Sequence, residues 1–153
     1  MGVAVDIDAR RCQIVRTLDI VGEKWSLLIV RNAVRGQTRF SEFRDSLGVP
    51  SDILTARLGT LVAAGILEKR SYREPGSRER SSYHLTESGL ALKLVLAAMV
   101  QWSDEFNPTV YGPASILADP ETHEKVELAF VPMGDPHSDE VAILPGPGSL
   151  ATW

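Results

Sequence analysis

The chain has 153 residues, 44% hydrophobic and 24% charged, with a formal net charge of -4 and a single cysteine. Such values leave room for one globular domain or a domain with an appendage. No apolar run reaches the roughly 20 residues of a membrane span, one cysteine excludes an internal disulfide framework, and the leading MGVAVDIDARRC lacks the basic-then-apolar order of a signal peptide.

Residues 1–11 carry no pattern and are read as a loose arm. From Cys12 to about Ile20, Ile14, Leu18 and Val21 have helical spacing, and Gly22 stops the helix. Trp25, Leu28, Ile29 and Ala33 stripe a second helix over 24–34, ended by Gly36. Thr38 is placed to cap a short third helix through Phe40, Phe43 and Leu47, which ends near Gly48.

The turn Gly48-Val49-Pro50 leads into a fourth helix over 51–64. Leu54, Leu58 and Leu61 fall on one face, Ser51 is the expected N-cap, and Asp52 suits the positive end of the helix dipole. The opposite face carries Asp52, Thr55, Ala56, Gly59 and Ala63, with Arg57 on its flank. A solvated face usually carries more Glu and Lys. A helix that enters a groove needs a slim one. Two helices joined by so short a turn make a helix-turn-helix, with the fourth helix as its reading element.

Residues 66–73 then read as a strand, Glu74-Pro75-Gly76-Ser77 as a turn, and Ser82 to Leu85 as the return. Arg78 and Arg80 give this hairpin a basic tip, the form of a wing on DNA backbone or minor groove. Thr86 is the expected cap of one long helix reaching Phe106. Leu90, Leu94, Ala97, Ala98 and Trp102 line one side, and Leu92, Val95, Leu96 and Met99 widen it. That exceeds what one small domain covers. A dimer surface through Ile14, Leu18, Leu94, Ala98 and Trp102 is therefore expected, against burial of the helix in its own core. Six prolines after residue 112 argue against long helices there. Strands are expected at 126–131 and 141–144, preceded by a turn at 119–122.

Charge is unevenly spread. Residues 24–80 hold 11 Lys/Arg against 6 acids, a local +5, while 108–153 hold one Lys and 7 acids, a local -6. The clustered cations, not the total, are what a polyanion would meet. Ser51, Asp52, Thr55, Ala56 and Arg57 are the candidates for base edges and phosphates on the reading helix, joined by Arg78 and Arg80 on the wing. Arg39, just before the third helix, is a further phosphate candidate, with plain solvation as its alternative. Cys12 begins a helix near Arg10, Arg11 and Arg16, which would favour a reactive thiolate. The alternative is a small apolar residue in a dimer contact. His84, His123 and His137 lack metal-ligand spacing, and no phosphate loop, nucleophile elbow or carboxylate pair is present. No metal, no cofactor and no catalysis are expected.

Several motifs together resemble one family. These are a cysteine at the start of the first helix, Gly-x-Lys-Trp at 22–25, Arg-Phe-Ser-Glu at 39–42, SDILTARLGTLVAAGILEKR at 51–70, and Leu-Thr-x-x-Gly at 85–89. The chain resembles, over about residues 12–106, the HxlR-type transcription regulators, winged-helix relatives of the MarR group. The resemblance implies a homodimer that binds a pseudo-palindromic operator on double-stranded DNA. Family members often carry Cys-Pro where this chain has Cys12-Gln13, and some use that cysteine to sense quinones, aldehydes or oxidants. The fold expected is mainly α with a small β-hairpin (α+β), a winged helix-turn-helix dimerising through its first and long C-terminal helices. Its expected parts are an arm at 1–11, the DNA-binding and dimerisation domain at 12–107, and a β-rich appendage at 108–153. The function expected is a cytoplasmic repressor, with an unidentified small-molecule effector left open and no membrane partner. The rival is a winged-helix module for protein or ligand binding that has lost DNA binding.

Overall fold

The computed structural model describes residues 11–136 and 140–148. The chain divides into two compact units between Ala91 and Leu92.

The first unit contains α1 (Gln13–Val21), α2 (Lys24–Val34), α3 (Phe40–Leu47), α4 (Ser51–Ala63), β1 (Leu67–Tyr72), β2 (Arg80–Leu85) and α5 (Glu87–Ala91). Its core is assembled from one face of each helix. Ile29 and Val30 of α2, Phe43 of α3, and Leu54, Leu58 and Leu61 of α4 are almost fully buried, together with Leu67 of β1. The expected leucine stripe is therefore the buried side of α4. Each such side chain contributes about 1.5–3 kcal/mol by leaving water.

Two expected caps are corrected. Thr38 does not cap α3 with its side chain. The N-cap residue is Arg39, and the carboxylate of Glu42 reaches back to accept the backbone N–H of both Thr38 and Arg39, each at 2.8 Å. A carboxylate at the third helical position is placed to take the N–H groups that precede the first turn, the reciprocal half of a capping box. Ser51 is likewise not the N-cap of α4. Pro50 holds that position in extended geometry, and Ser51 is the first helical residue. Gly48 closes α3 in the left-handed region at φ 63°, which lets the chain reverse within three residues.

β1 and β2 pair antiparallel from Leu67 opposite Leu85 to Tyr72 opposite Arg80. The other edge of β2 is also engaged: Arg39 bridges Ser82, and the Tyr83 N–H donates to the Thr38 carbonyl at 2.7 Å. The hairpin is thus stitched to the segment that opens α3. The Leu-Thr-x-x-Gly motif has a physical reason here. The Thr86 hydroxyl donates to the Gly65 carbonyl at 2.5 Å and accepts the Gly89 N–H at 3.1 Å, capping α5. A Cβ on Gly89 would lie 2.2 Å from the Ile66 carbonyl oxygen, so only glycine permits this approach.

The single long helix expected after Thr86 is two: α5 ends at Ala91, Leu92 is a turn, and α6 runs over Lys93–Phe106. No Pro or Gly at the break announces it.

The second unit holds α6, β3 (Ser115–Ala118) and β4 (Ala142–Pro145). Ala97, Leu117 and Val141 form its buried cluster, with Val100, Val126, Leu128 and Ile143 packed against it. Its start lies inside the 12–107 span read from sequence as one domain, because α6 shares this core with the strands. β3 and β4 pair antiparallel. β4 falls close to the expected 141–144, whereas β3 was not foreseen. The expected strand at 126–131 is not one. Just before it Lys125 bridges Ala118, and the Val126 N–H donates to the Leu117 carbonyl at 3.0 Å. The Leu128 backbone is satisfied instead by the Gln101 side chain, which accepts its N–H at 2.7 Å and donates to its carbonyl at 3.2 Å. A glutamine amide here stands in for a neighbouring strand. The turn at 119–122 is present: Asp119 accepts the backbone N–H of Glu121 and Thr122 at 2.9 and 2.8 Å. These two donors, that of Thr122 first, hold its carboxyl below the ordinary range.

Candidate nucleic-acid interface

α3, a three-residue turn and α4 form the helix-turn-helix. Ser51, Asp52, Thr55, Ala56 and Gly59 are exposed on α4, and Arg57 is half-buried on its flank. At 100° per residue, Asp52, Ala56, Gly59 and Ala63 lie opposite the leucine stripe. The hydroxyls of Thr55 and Thr60 donate to the carbonyls of Ser51 and Ala56, at 2.7 and 3.0 Å. A Cβ on Gly59 would meet nothing within 4 Å. The outer face is therefore bare, and its narrowness is not imposed by any contact at Gly59.

The wing brings Arg73, Arg78 and Arg80 to the exposed end of the hairpin. Among the described residues, neither Arg78 nor Arg80 is in an ion pair. Arg73 donates to the Ser77 carbonyl at 3.1 Å. Arg70 is paired with Glu68 on its own strand.

Arg39 is engaged by the wing. Its Nη1 lies 2.8 Å from Glu74 Oε1, and its guanidinium lies over the Tyr72 ring, 5.0 Å from the centroid. Sequence spacing did not suggest this, since the partners are more than 30 positions away. Behind the interface, Asn32 of α2 is buried and donates to Gln37 and to Ser46 of α3, at 3.0 and 2.8 Å. Arg31 donates to the Asn32 side-chain oxygen at 2.9 Å. This polar set fixes α3 on α2. Burial lowers the pKa of Arg35, with the neighbouring Arg31 charge adding to it, to about 10, so the guanidinium stays charged near neutral pH.

Cys12 is the half-buried N-cap residue of α1, and its carbonyl accepts the Arg16 N–H at 3.1 Å. Arg10 lies outside the described residues. The candidates for a dimer surface are exposed in the single chain: Ile14 at 70%, Leu18 at 56%, Leu94 at 57%, Trp102 at 60%, and Ala98. Trp102 and Phe106 stack obliquely, ring centroids 5.9 Å apart. His84 shares a hydrogen bond with Ser82 at 2.9 Å inside the hairpin, and His137 lies outside the described residues. Among the described residues no helix is long and apolar enough to cross a membrane.

Comparison with known proteins bears on the same segment. Residues 20–111 match the HxlR-like helix-turn-helix model. An uncharacterized HTH-type transcriptional regulator of Mycobacterium tuberculosis is 40% identical over 98 residues, which is 64% of this chain and 61% of the relative's length. The chain thus matches less than two thirds of that relative. The crystal structure of PA1607, assigned as a transcription factor, superposes with a TM-score of 0.70 at 36% identity, covering 80% of this chain and 84% of that one. The reduced form of the redox regulator HypR superposes at 0.55 with 29% identity, covering 61% and 92%. The helix-turn-helix, the hairpin stitched to α3 and the Leu-Thr-x-x-Gly turn all lie inside the matched span, and the chain belongs to the HxlR-like helix-turn-helix family.

Proposed function

We propose that the protein is a cytoplasmic, homodimeric transcription repressor that binds a pseudo-palindromic site on double-stranded DNA. The observation that carries this is the bare outer face of α4 beside a hairpin whose exposed end is basic. The N-terminal half of α4, through Ser51, Asp52, Thr55 and Ala56, reads base edges in the major groove, and Arg57 reaches phosphate. Arg78 and Arg80 meet the backbone or minor groove. Two copies joined through Ile14, Leu18, Leu94, Ala98 and Trp102 set the α4 pair about 34 Å apart, one turn of DNA. Large exposed apolar side chains on α1 and α6 support that contact. Nothing in this reading calls for catalysis.

The test is selection of bound genomic fragments with the purified chain, followed by titration of the winning duplex at several salt concentrations. Binding that weakens steeply with salt, at a site with two half-sites, is the expected result. No binding even at low salt would favour a protein- or ligand-binding module.

A response to oxidants is supported for Cys12 by its position at the start of α1 and by the likeness to a redox regulator. Cys12→Ser decides it. If diamide or a quinone releases DNA from parent and variant alike, the thiol is not the sensor.

A further inference from the structure

We propose that Arg39 is a positioning residue which clamps the wing to the start of α3, and that it is not a phosphate ligand. The proposal rests on the reading of the hairpin as a DNA-contacting wing.

The backbone of Arg39 is fixed before its side chain is considered. Its N–H is held by the Glu42 carboxylate at 2.8 Å, and the residue bridges Ser82 of β2. From that anchor the guanidinium makes an ion pair with Glu74 at 2.8 Å and covers the Tyr72 ring at 5.0 Å. Tyr72 ends β1 and Glu74 opens the loop, so one side chain grips both the strand end and the turn.

The loop it grips is internally braced. The Ser77 N–H donates to the Glu74 carbonyl at 3.0 Å, and Arg73 Nε donates to the Ser77 carbonyl at 3.1 Å. Gly76 takes the left-handed conformation, φ 77°, that closes the turn. A grip at Glu74 therefore holds the segment that leads to Arg78. This also gives a use to Glu74, one of two acids, with Glu79, that stand beside Arg73 and Arg78 in the loop. Beside DNA, Glu74 opposes binding by repulsion. Its retained use is to fix the direction of the neighbouring cations. With Nη1 on a carboxylate and one face over a ring, the Arg39 guanidinium is turned to the wing's own residues.

The decisive variant is Glu74→Ala in the full chain, titrated with a fluorescein-labelled random-sequence duplex at low salt. Loss of an acid near the backbone should by itself tighten binding. The clamp predicts the reverse, a weakening of up to about fivefold, the scale of one exposed ion pair. Arg39→Ala combined with Glu74→Ala should bind no worse than Arg39→Ala alone. Unchanged or tighter binding by Glu74→Ala overturns the proposal. So does an Arg39→Gln variant whose log affinity against log salt loses a slope of about one, the mark of a lost phosphate contact.

A DNA-free arm separates this from the broader reading. Amide exchange at Gly76 to Glu79 should quicken in Glu74→Ala, with the circular dichroism melt confirming that the variant folds. Parental exchange there overturns the clamp. If the parent chain binds no duplex, the proposed function fails while the exchange arm still decides the clamp.

Discussion

Gly59 offers a perturbation in which stability and DNA binding should move in opposite directions. It occupies the interior of the 13-residue α4, where glycine is about 0.8–1 kcal/mol less favourable than alanine. A Cβ there meets nothing within 4 Å, so no clash subtracts from the gain, and the exposed site adds little burial. Gly59→Ala should therefore stabilise the protein by about 0.5–1 kcal/mol. For a chain of this length that is a rise of roughly 1–4 °C in Tm. Gly59→Gln introduces a good helix former and adds only neutral bulk. It should melt no lower than the parent yet bind duplex DNA at least about tenfold more weakly, the loss of roughly 1.4 kcal/mol. Differential scanning calorimetry and fluorescence anisotropy read the two effects independently. A lower Tm for the alanine variant would mean that a contact requires glycine. Undiminished binding by the glutamine variant would mean that this face enters no groove.

Three further outcomes follow from the same geometry. Arg57→Ala should weaken duplex binding strongly and lower the salt slope by about one, and an unchanged gel-shift titration would remove Arg57 from the interface. Leu58→Ala, at a site only 1% exposed, should cost about 2–5 kcal/mol in urea unfolding, a cost well above that of any exposed α4 substitution. Glu42 predicts an acid sensitivity. Burial pushes its carboxyl up, but the backbone N–H donors of Arg39 and Thr38 and the Arg39 charge outweigh this, so its pKa lies below the ordinary 4.5. A depressed carboxyl stabilises the fold above its unfolded-state value, and that contribution is lost as pH falls through the lowered one. Glu42→Gln should therefore be less stable than the parent at neutral pH, and the gap should close as pH falls below about 4.5. A gap independent of pH would show that Glu42 does not act through its charge.

The local pattern was legible where one physical signal dominates. The four-three spacing of Leu54, Leu58 and Leu61 specifies a buried stripe whatever surrounds it, because helical periodicity leaves those side chains no other common face. Gly48 marked a helix end because left-handed backbone favours glycine. The hairpin was legible from Glu74-Pro75-Gly76-Ser77, since the turn residues act on their own backbone.

Other features depended on partners far along the chain. Thr38 and Ser51 looked like caps by residue type, but Arg39 and Pro50 hold the positions, because a cap depends on where the first turn closes. The span 126–131 has strand-like composition, yet Gln101, 27 positions from Leu128, satisfies the backbone there, and no strand forms. The division of one expected helix at Leu92 has no local breaker. Arg39 shows the difference most directly. Its sequence position at a helix start near other arginines suggested phosphate, and only the pairing of β2 with the Thr38–Arg39 segment brings Glu74 and Tyr72 within its reach. Short-range periodicity, turns and charge clusters are properties of the chain itself, whereas the partner of an arginine is decided by which distant segments the fold brings together.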